Sequence, residues 1–198
     1  IEDSTIITID NNLDLFLTKP SHPLLLTQQG LIQAKRTIDK LNTHALTLAP
    51  AAGLAAPQIG VNEQIFIFSW DRRFENIQVA INPTFFPLNE TQEACWEACF
   101  SAILCKNACH IAFVPRYTKI QANFYDENGR SRIQILENFA ARVFQHEFDH
   151  LQGIVNVHKK GVETKSFPTQ KEMEMFLAPL KVKIDTTRYI VPLEIDRL

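Results

Sequence analysis

An α+β fold is expected of this chain: a single domain over residues 1–198, with mixed or antiparallel β-sheets around a central helix bearing His146-Glu147-Phe148-Asp149-His150. Three observations predict it. A helical period runs from Thr27 to Ala49, separate strand-like segments occur between Gln64 and Leu136, and a second helical period begins at Phe139 and carries the pentapeptide. At 198 residues the chain is long enough to bury a sizeable core. Its 45% hydrophobic and 21% charged residues are those of a globular protein, not a disordered or fibrous one. A net charge of −2 supplies no basic footprint for nucleic acid. No apolar run approaches the roughly 20 residues that span a bilayer. The chain begins at Ile1 rather than Met, which leaves a longer N-terminus or a lost leader open.

Leu31, Ala34, Ile38, Leu41, Ala45 and Leu48 recur at steps of three and four. They predict an amphipathic helix capped by Thr27 and stopped at Pro50. Gly53 to Gly60 follows as a glycine-containing link. Gln64–Trp70 and Ile77–Asn82 read as strands, with Pro83 and Pro87 marking the exit. Thr118–Tyr125 alternates, with Ile120, Ala122 and Phe124 on one face. Asp126-Glu127-Asn128-Gly129 predicts a turn, and Ser131–Leu136 a return strand. The next helix has Phe139, Ala140, Val143, Phe144 and Leu151 as its apolar stripe and Gly153 at its C′ position. A last helix is expected from Thr169 to about Leu177, halted near Pro179, before extended segments at Val182–Ile184 and Tyr189–Ile195.

On a helix, residues four apart differ by only about 40° around the axis, so His146 and His150 can reach one ion. Glu147 lies about 100° from His146, beside such an ion, where it can accept a proton from a water without occupying a coordination site. The same pattern also fits solvated helix charges. Four cysteines, Cys95, Cys99, Cys105 and Cys109, sit within fifteen positions. Disulfide frameworks usually spread further, so reduced thiols are the plain reading. A metal knuckle built on Cys105, Cys109 and His110 is a second reading, although its spacing matches no standard zinc ribbon. In a third, Cys99 alone completes a site with the two histidines. His22, His44, His110 and His158 have no matching partner and read as surface or loop residues.

Three segments stand out together: Gly53-Leu54-Ala55-Ala56-Pro57-Gln58, Glu97-Ala98-Cys99-Phe100-Ser101, and Gln145-His146-Glu147-Phe148-Asp149-His150-Leu151-Gln152-Gly153. In that order and spacing they resemble the peptide deformylases, metalloenzymes that remove the formyl group from the N-terminal formyl-methionine of new proteins. The resemblance covers about half of the chain, and the third segment matches the family pattern at every fixed position. It implies Cys99, His146 and His150 as ligands of one divalent ion, leaving a fourth position open as catalytic sites do. It also implies Glu147 as general base, with the Gln58 amide and the Phe100 backbone N–H stabilising the oxyanion. The backbone of Ala52 and Gly53 should hold the substrate peptide as an added strand. Asp149 is expected to orient a histidine through its other ring N–H, and Arg116 to pair with Glu97.

A Cys-His₂ donor set suits Zn²⁺ and Fe²⁺ alike, and Cu²⁺ would outcompete both on raw affinity. The resemblance favours Fe²⁺ in the cell, with Zn²⁺ or Ni²⁺ in purified protein. It further implies formyl-methionyl nascent peptides as substrate, transient contact with the ribosome, and a bacterial cytoplasm or an organelle descended from one.

Two positions depart from the family pattern: Ala51 and Ala98 stand where it has glycine. If Ala98 needed positive φ, its methyl would cost on the order of 1 kcal/mol. Its side chain is also expected to border the path of the substrate backbone. Ala102 to Phe113 reads as a long loop before Val114-Pro115-Arg116, bordering the cleft and reshaping its specificity. Two competing functions follow. One is a degenerate relative that binds N-termini without turnover. The other is a zinc peptidase built on His-Glu-x-x-His, which Cys99 and Gln58 argue against because common zincins take their third ligand downstream.

Overall fold

The computed structural model describes residues 5–48 and 51–180. The Pro50 stop and the extended segments expected at 182–184 and 189–195 lie outside them. Helix α1 (Gln28–Thr47) starts where the Thr27 hydroxyl accepts the Gly30 N–H, and it buries Ala34, Thr37, Ile38, Leu41 and Ala45. A five-stranded sheet follows from β1 (Gly53–Ala55), β2 (Ile65–Phe68), β3 (Gln78–Pro87), β6 (Lys119–Tyr125) and β7 (Ser131–Glu137), in the order β1-β2-β3-β6-β7. A second sheet has the order β4-β5-β8, from β4 (Gln92–Ala98), β5 (Cys109–Tyr117) and β8 (Glu163–Phe167). Every strand pair is antiparallel. Helices α2 (Phe100–Ile103), α3 (Asn138–Leu151) and α4 (Gln170–Leu177) complete the α+β architecture.

Strand β2 shows how the larger sheet is buried on both faces. Its side chains alternate, so Ile65 and Ile67 join the cluster under α1 while Phe66 and Phe68 join the cluster under α3. The second cluster centres on Phe144 of α3. Its ring lies 5.0 Å from Phe66 and 5.4 Å from Phe68, both edge-on. The helix ends as expected at Gly153, whose φ is +78°. Gly153 N–H bonds the His150 carbonyl and Ile154 N–H bonds that of Asp149, the two bonds of a Schellman motif. A Cβ there would also come within 2.8 Å of the Lys19 backbone.

Two sequence expectations fail here. Pro83 does not end β3, because the ladder shifts register between Ile81 and Thr84. Asn82 takes a φ of +48° at that bulge, and its side-chain amide both accepts from and donates to the Leu24 backbone. A proline has no N–H to offer a ladder and is tolerated where the ladder is already broken. The expected 102–113 loop is mostly regular structure: α2 runs to Ile103 and β5 begins at Cys109, leaving only 104–108 between them. Ile111 and Val114 point to opposite faces of β5 and both are buried, so the segment shows no simple alternation, while cross-strand pairing with β4 supplies hydrogen bonds that the isolated segment does not advertise. Strands β4, β5 and β8 all escaped the sequence reading for that reason. Among the described residues no helix is long and apolar enough to cross a membrane.

Candidate metal centre

Helix α3 delivers His146 and His150 one turn apart, and β4 ends at Ala98, so Cys99 follows as the N-cap of α2. One ligand atom from each of Cys99, His146 and His150 lies within 4.8 Å of the others, the single such group among the described residues. Cys99 Sγ is 3.3 Å from His150 Nε2. His146 donates from Nδ1 to Glu97 Oε1 at 2.9 Å, which leaves Nε2 as its remaining ring nitrogen. A thiolate and two imidazoles held this closely fit a borderline divalent ion such as Zn²⁺ or Fe²⁺.

Electrostatics support that reading. Burial drives the His150 pKa well below 6.5, so its imidazole is neutral, the form that ligates a metal. For His146 burial acts the same way but loses to the hydrogen bonds its ring donates to Cys99 and Glu97, which raise it well above 6.5. A proton on the His146 ring would compete with any ion held there. Burial pushes Glu147 up to about 7, the range of a proton acceptor working near neutrality. Its Oε2 is buried without a hydrogen-bond partner. Gly53 faces this carboxylate so closely that a Cβ would stand 2.8 Å from Glu147 Cγ and Oε1.

Gln58 is 1% exposed and fixed at both ends of its amide. Its Oε1 accepts the Ala55 N–H at 3.0 Å, and its Nε2 donates to Ser101 Oγ at 3.0 Å and points at Cys99 Sγ, 3.7 Å away. Phe100, half-buried, opens α2 directly after Cys99. Ala52 accepts the Ser69 N–H through its carbonyl, which makes Ala52–Ser69 the hydrogen-bonded pair of the β1–β2 ladder. Gly53 is then the non-bonded position, so its N–H and C=O face away from β2. They face the outer edge of the sheet, since β1 is its terminal strand.

Glu97 and Arg116 do meet: Arg116 Nε donates to Oε2 and Nη2 to Oε1, each at 2.9 Å. Burial opposes ionisation of Glu97, but the Arg116 charge and hydrogen bonds from Arg116 and His146 hold its carboxyl well below 4.5. Asp149 differs from expectation. It binds Arg116 Nη1 and, at 2.8 Å, Lys159 Nζ, not a histidine. The carboxylate that reaches the ring N–H of a candidate ligand is Glu97, on His146, and His150 Nδ1 has no partner. Asp149 adjoins His150 in sequence, and neighbours on a helix point about 100° apart.

The Cys105–Cys109–His110 knuckle does not form. Cys105 and Cys109 bond the carbonyls of Ser101 and Ile103, and His110 bonds Ser166 Oγ. None of the four cysteines is in a disulfide, and burial raises the pKa of Cys95, Cys105 and Cys109. Ala98 needs no left-handed backbone either. Among the described non-glycine residues only Leu15, Arg72, Asn82 and Asn138 have positive φ. Ala98 pairs with Ile111 as ordinary strand and is exposed, while Ala51 is buried under α1.

One buried residue of this network was missed in the sequence: Arg142, whose Nη1 donates to Glu97 Oε2 at 2.6 Å. Its signal was there, an arginine between two core residues of α3 and one turn before His146 on the same face.

The model of the polypeptide deformylase family matches residues 5–165. Peptide deformylase 2 of Ralstonia nicotianae is 46% identical over 54% of this chain, and the match spans 62% of that protein's length. Peptide deformylase 1 of Nitrosomonas europaea is 36% identical over 71% of this chain and 90% of its own. The crystal structure of the Thermotoga maritima peptide deformylase superposes with a TM-score of 0.65 at 26% identity, covering 78% of this chain and 95% of that one. The chain belongs to the peptide deformylase family.

Proposed function

We propose that this protein is a metal-dependent hydrolase that removes the N-formyl group from formyl-methionyl nascent peptides. The observation that carries the proposal is the convergence of Cys99, His146 and His150 beside a buried Glu147 carboxylate and a pinned Gln58 amide. In this reading the three residues hold one divalent ion, Fe²⁺ in the cell, with Zn²⁺ or Ni²⁺ able to replace it. A divalent ion there supplies Lewis-acid activation of water near neutral pH.

The chain's own groups do the rest. Glu147 accepts the proton of the attacking water and returns it to the leaving amine, a role matched by its pKa of about 7. Gln58 Nε2 and the Phe100 N–H are the donors for the oxygen that gains negative charge at the formyl carbon. Because Gln58 is anchored through Oε1, little reorganisation is needed to present Nε2. Gly53 offers its N–H and C=O at the open edge of β1, where an extended peptide can add as a further strand, flanked by Ala52 and Ala98. Acting on nascent chains brings the protein transiently to the ribosome, in a bacterial cytosol or an organelle descended from one. The bacterial origin of the named relatives supports that location.

The degenerate-binder reading drew its support from Ala51, Ala98 and the long loop. None of them distorts the centre, since Ala51 packs in the core under α1, Ala98 is unstrained and the loop resolves into α2 and β5. The test is formate release from formyl-Met-Ala-Ser by anaerobically prepared, Fe²⁺-loaded protein. Release is expected, and Glu147→Ala should abolish most of it, by about 10²–10⁴-fold. Peptide binding without formate would overturn the proposal in favour of a binding role, and cleavage of internal peptide bonds in favour of a peptidase.

A further inference from the structure

Arg142 joins the two halves of the centre. It lies on α3, one turn ahead of His146, with its side chain 10% exposed. Its Nη1 donates to Glu97 Oε2 at 2.6 Å and to the Val114 carbonyl at 2.9 Å, and its Nη2 to the Glu93 carbonyl at 2.6 Å. Glu93 and Glu97 belong to β4, and Val114 to β5. One planar guanidinium thus ties the helix that carries both histidines to two adjacent strands, one of which leads into Cys99. Glu97 in turn has both oxygens occupied: Oε2 by Arg142 and Arg116, Oε1 by Arg116 and the His146 ring.

We propose that Arg142 is a positioning residue of the metal centre, setting the separation of the Cys99 thiolate from the two imidazoles and the rotation of the His146 ring. This rests on the metal-site reading above. Arg116 does not duplicate the function, because it reaches Glu97 and Asp149 but is itself a residue of β5. Its bond to Asp149 touches α3 only beyond the histidine pair's first member. Arg142 alone among these groups binds main-chain atoms of both strands from the helix, so its bonds report on backbone placement as well as on charge.

The test uses Co²⁺-loaded full-length protein, whose visible d–d bands and thiolate charge-transfer band report ligand geometry directly. Arg142→Gln should shift those bands and release Co²⁺ to a chelator about 10–100-fold faster than the parent protein. Arg142→Lys keeps the charge but can make fewer of the three bonds, so it should fall between the two. It also decides the matter if Arg142→Gln does not fold. Unchanged spectra and release rates, with only a lower melting temperature of the metal-free protein, would overturn the proposal and leave Arg142 a simple helix–sheet tie. A parent protein showing no thiolate charge-transfer band would instead sink the metal-site reading itself.

Discussion

Helix α3 brings His146, Glu147 and His150 to the candidate centre by local geometry, whereas Cys99 arrives at the end of β4, a strand placed by its neighbours. The helix half needs only a 3.6-residue repeat and an apolar face, and Phe144 seats that face among Phe66, Phe68 and Phe124. The strand half is held by charge. Glu97, Arg116 and Arg142 are each 10% exposed or less in their side chains and satisfy one another. A site assembled in this way has one half fixed by oil-like packing and the other by buried ions, and the two should respond differently to mutation and pH.

The largest effects should come from cutting each half at its centre. Glu97→Gln leaves the buried Arg142 guanidinium without a carboxylate and Arg116 with Asp149 alone, and should cost about 3–5 kcal/mol of unfolding free energy in urea. Phe144→Ala should cost a similar amount, about 3–5 kcal/mol, through the cavity it leaves. The acid limb of the stability profile tells them apart. Glu97 is held below its ordinary value of 4.5 when folded, so its contribution is present above that value and fades as pH falls through the lower, folded pKa. Glu97→Gln should flatten this limb and Phe144→Ala should leave it intact. Equal acid limbs in both variants would erase the distinction between the halves.

A smaller effect tests whether the helix half depends on what faces it. Gly53→Ala puts a methyl against the Glu147 carboxylate, where a Cβ would stand 2.8 Å from Oε1. Displacing the base by a fraction of an ångström should lower kcat for formyl-Met-Ala-Ser by up to about 10²-fold, with metal content unchanged. Loss of the ion instead would mean that the clash reaches the ligands. The smallest effect lies outside both halves. Thr27→Ala removes the α1 cap and should cost about 1 kcal/mol, with Co²⁺ spectra identical to those of the parent protein.

The contrast also explains what could be read in advance. Alternation in Lys119–Tyr125, the Asp126–Gly129 turn, the apolar stripe of α3 and the glycine at its end are all short-range patterns, and each appears where expected. Strands β4 and β5 carry no such pattern, because their stability comes from each other and from a charge cluster whose members lie up to 49 positions apart. The assignment of Asp149 failed for a related reason. Adjacency in sequence to a ligand does not imply contact with its ring, and Glu97, far upstream, holds that bond.

By itself, the amino-acid sequence picked out His146, Glu147 and His150 as candidates, because a helix converts spacing directly into direction. It also picked out Cys99 as a candidate third ligand, through a resemblance to the deformylase motifs. The tertiary structure decided everything that brings the thiolate to the imidazoles: the pairing of β4 with β5, the double arginine clamp on Glu97, and the Arg142 link between strand and helix. Those contacts join segments remote in the chain, and their energies exist only once burial has removed water from the charges.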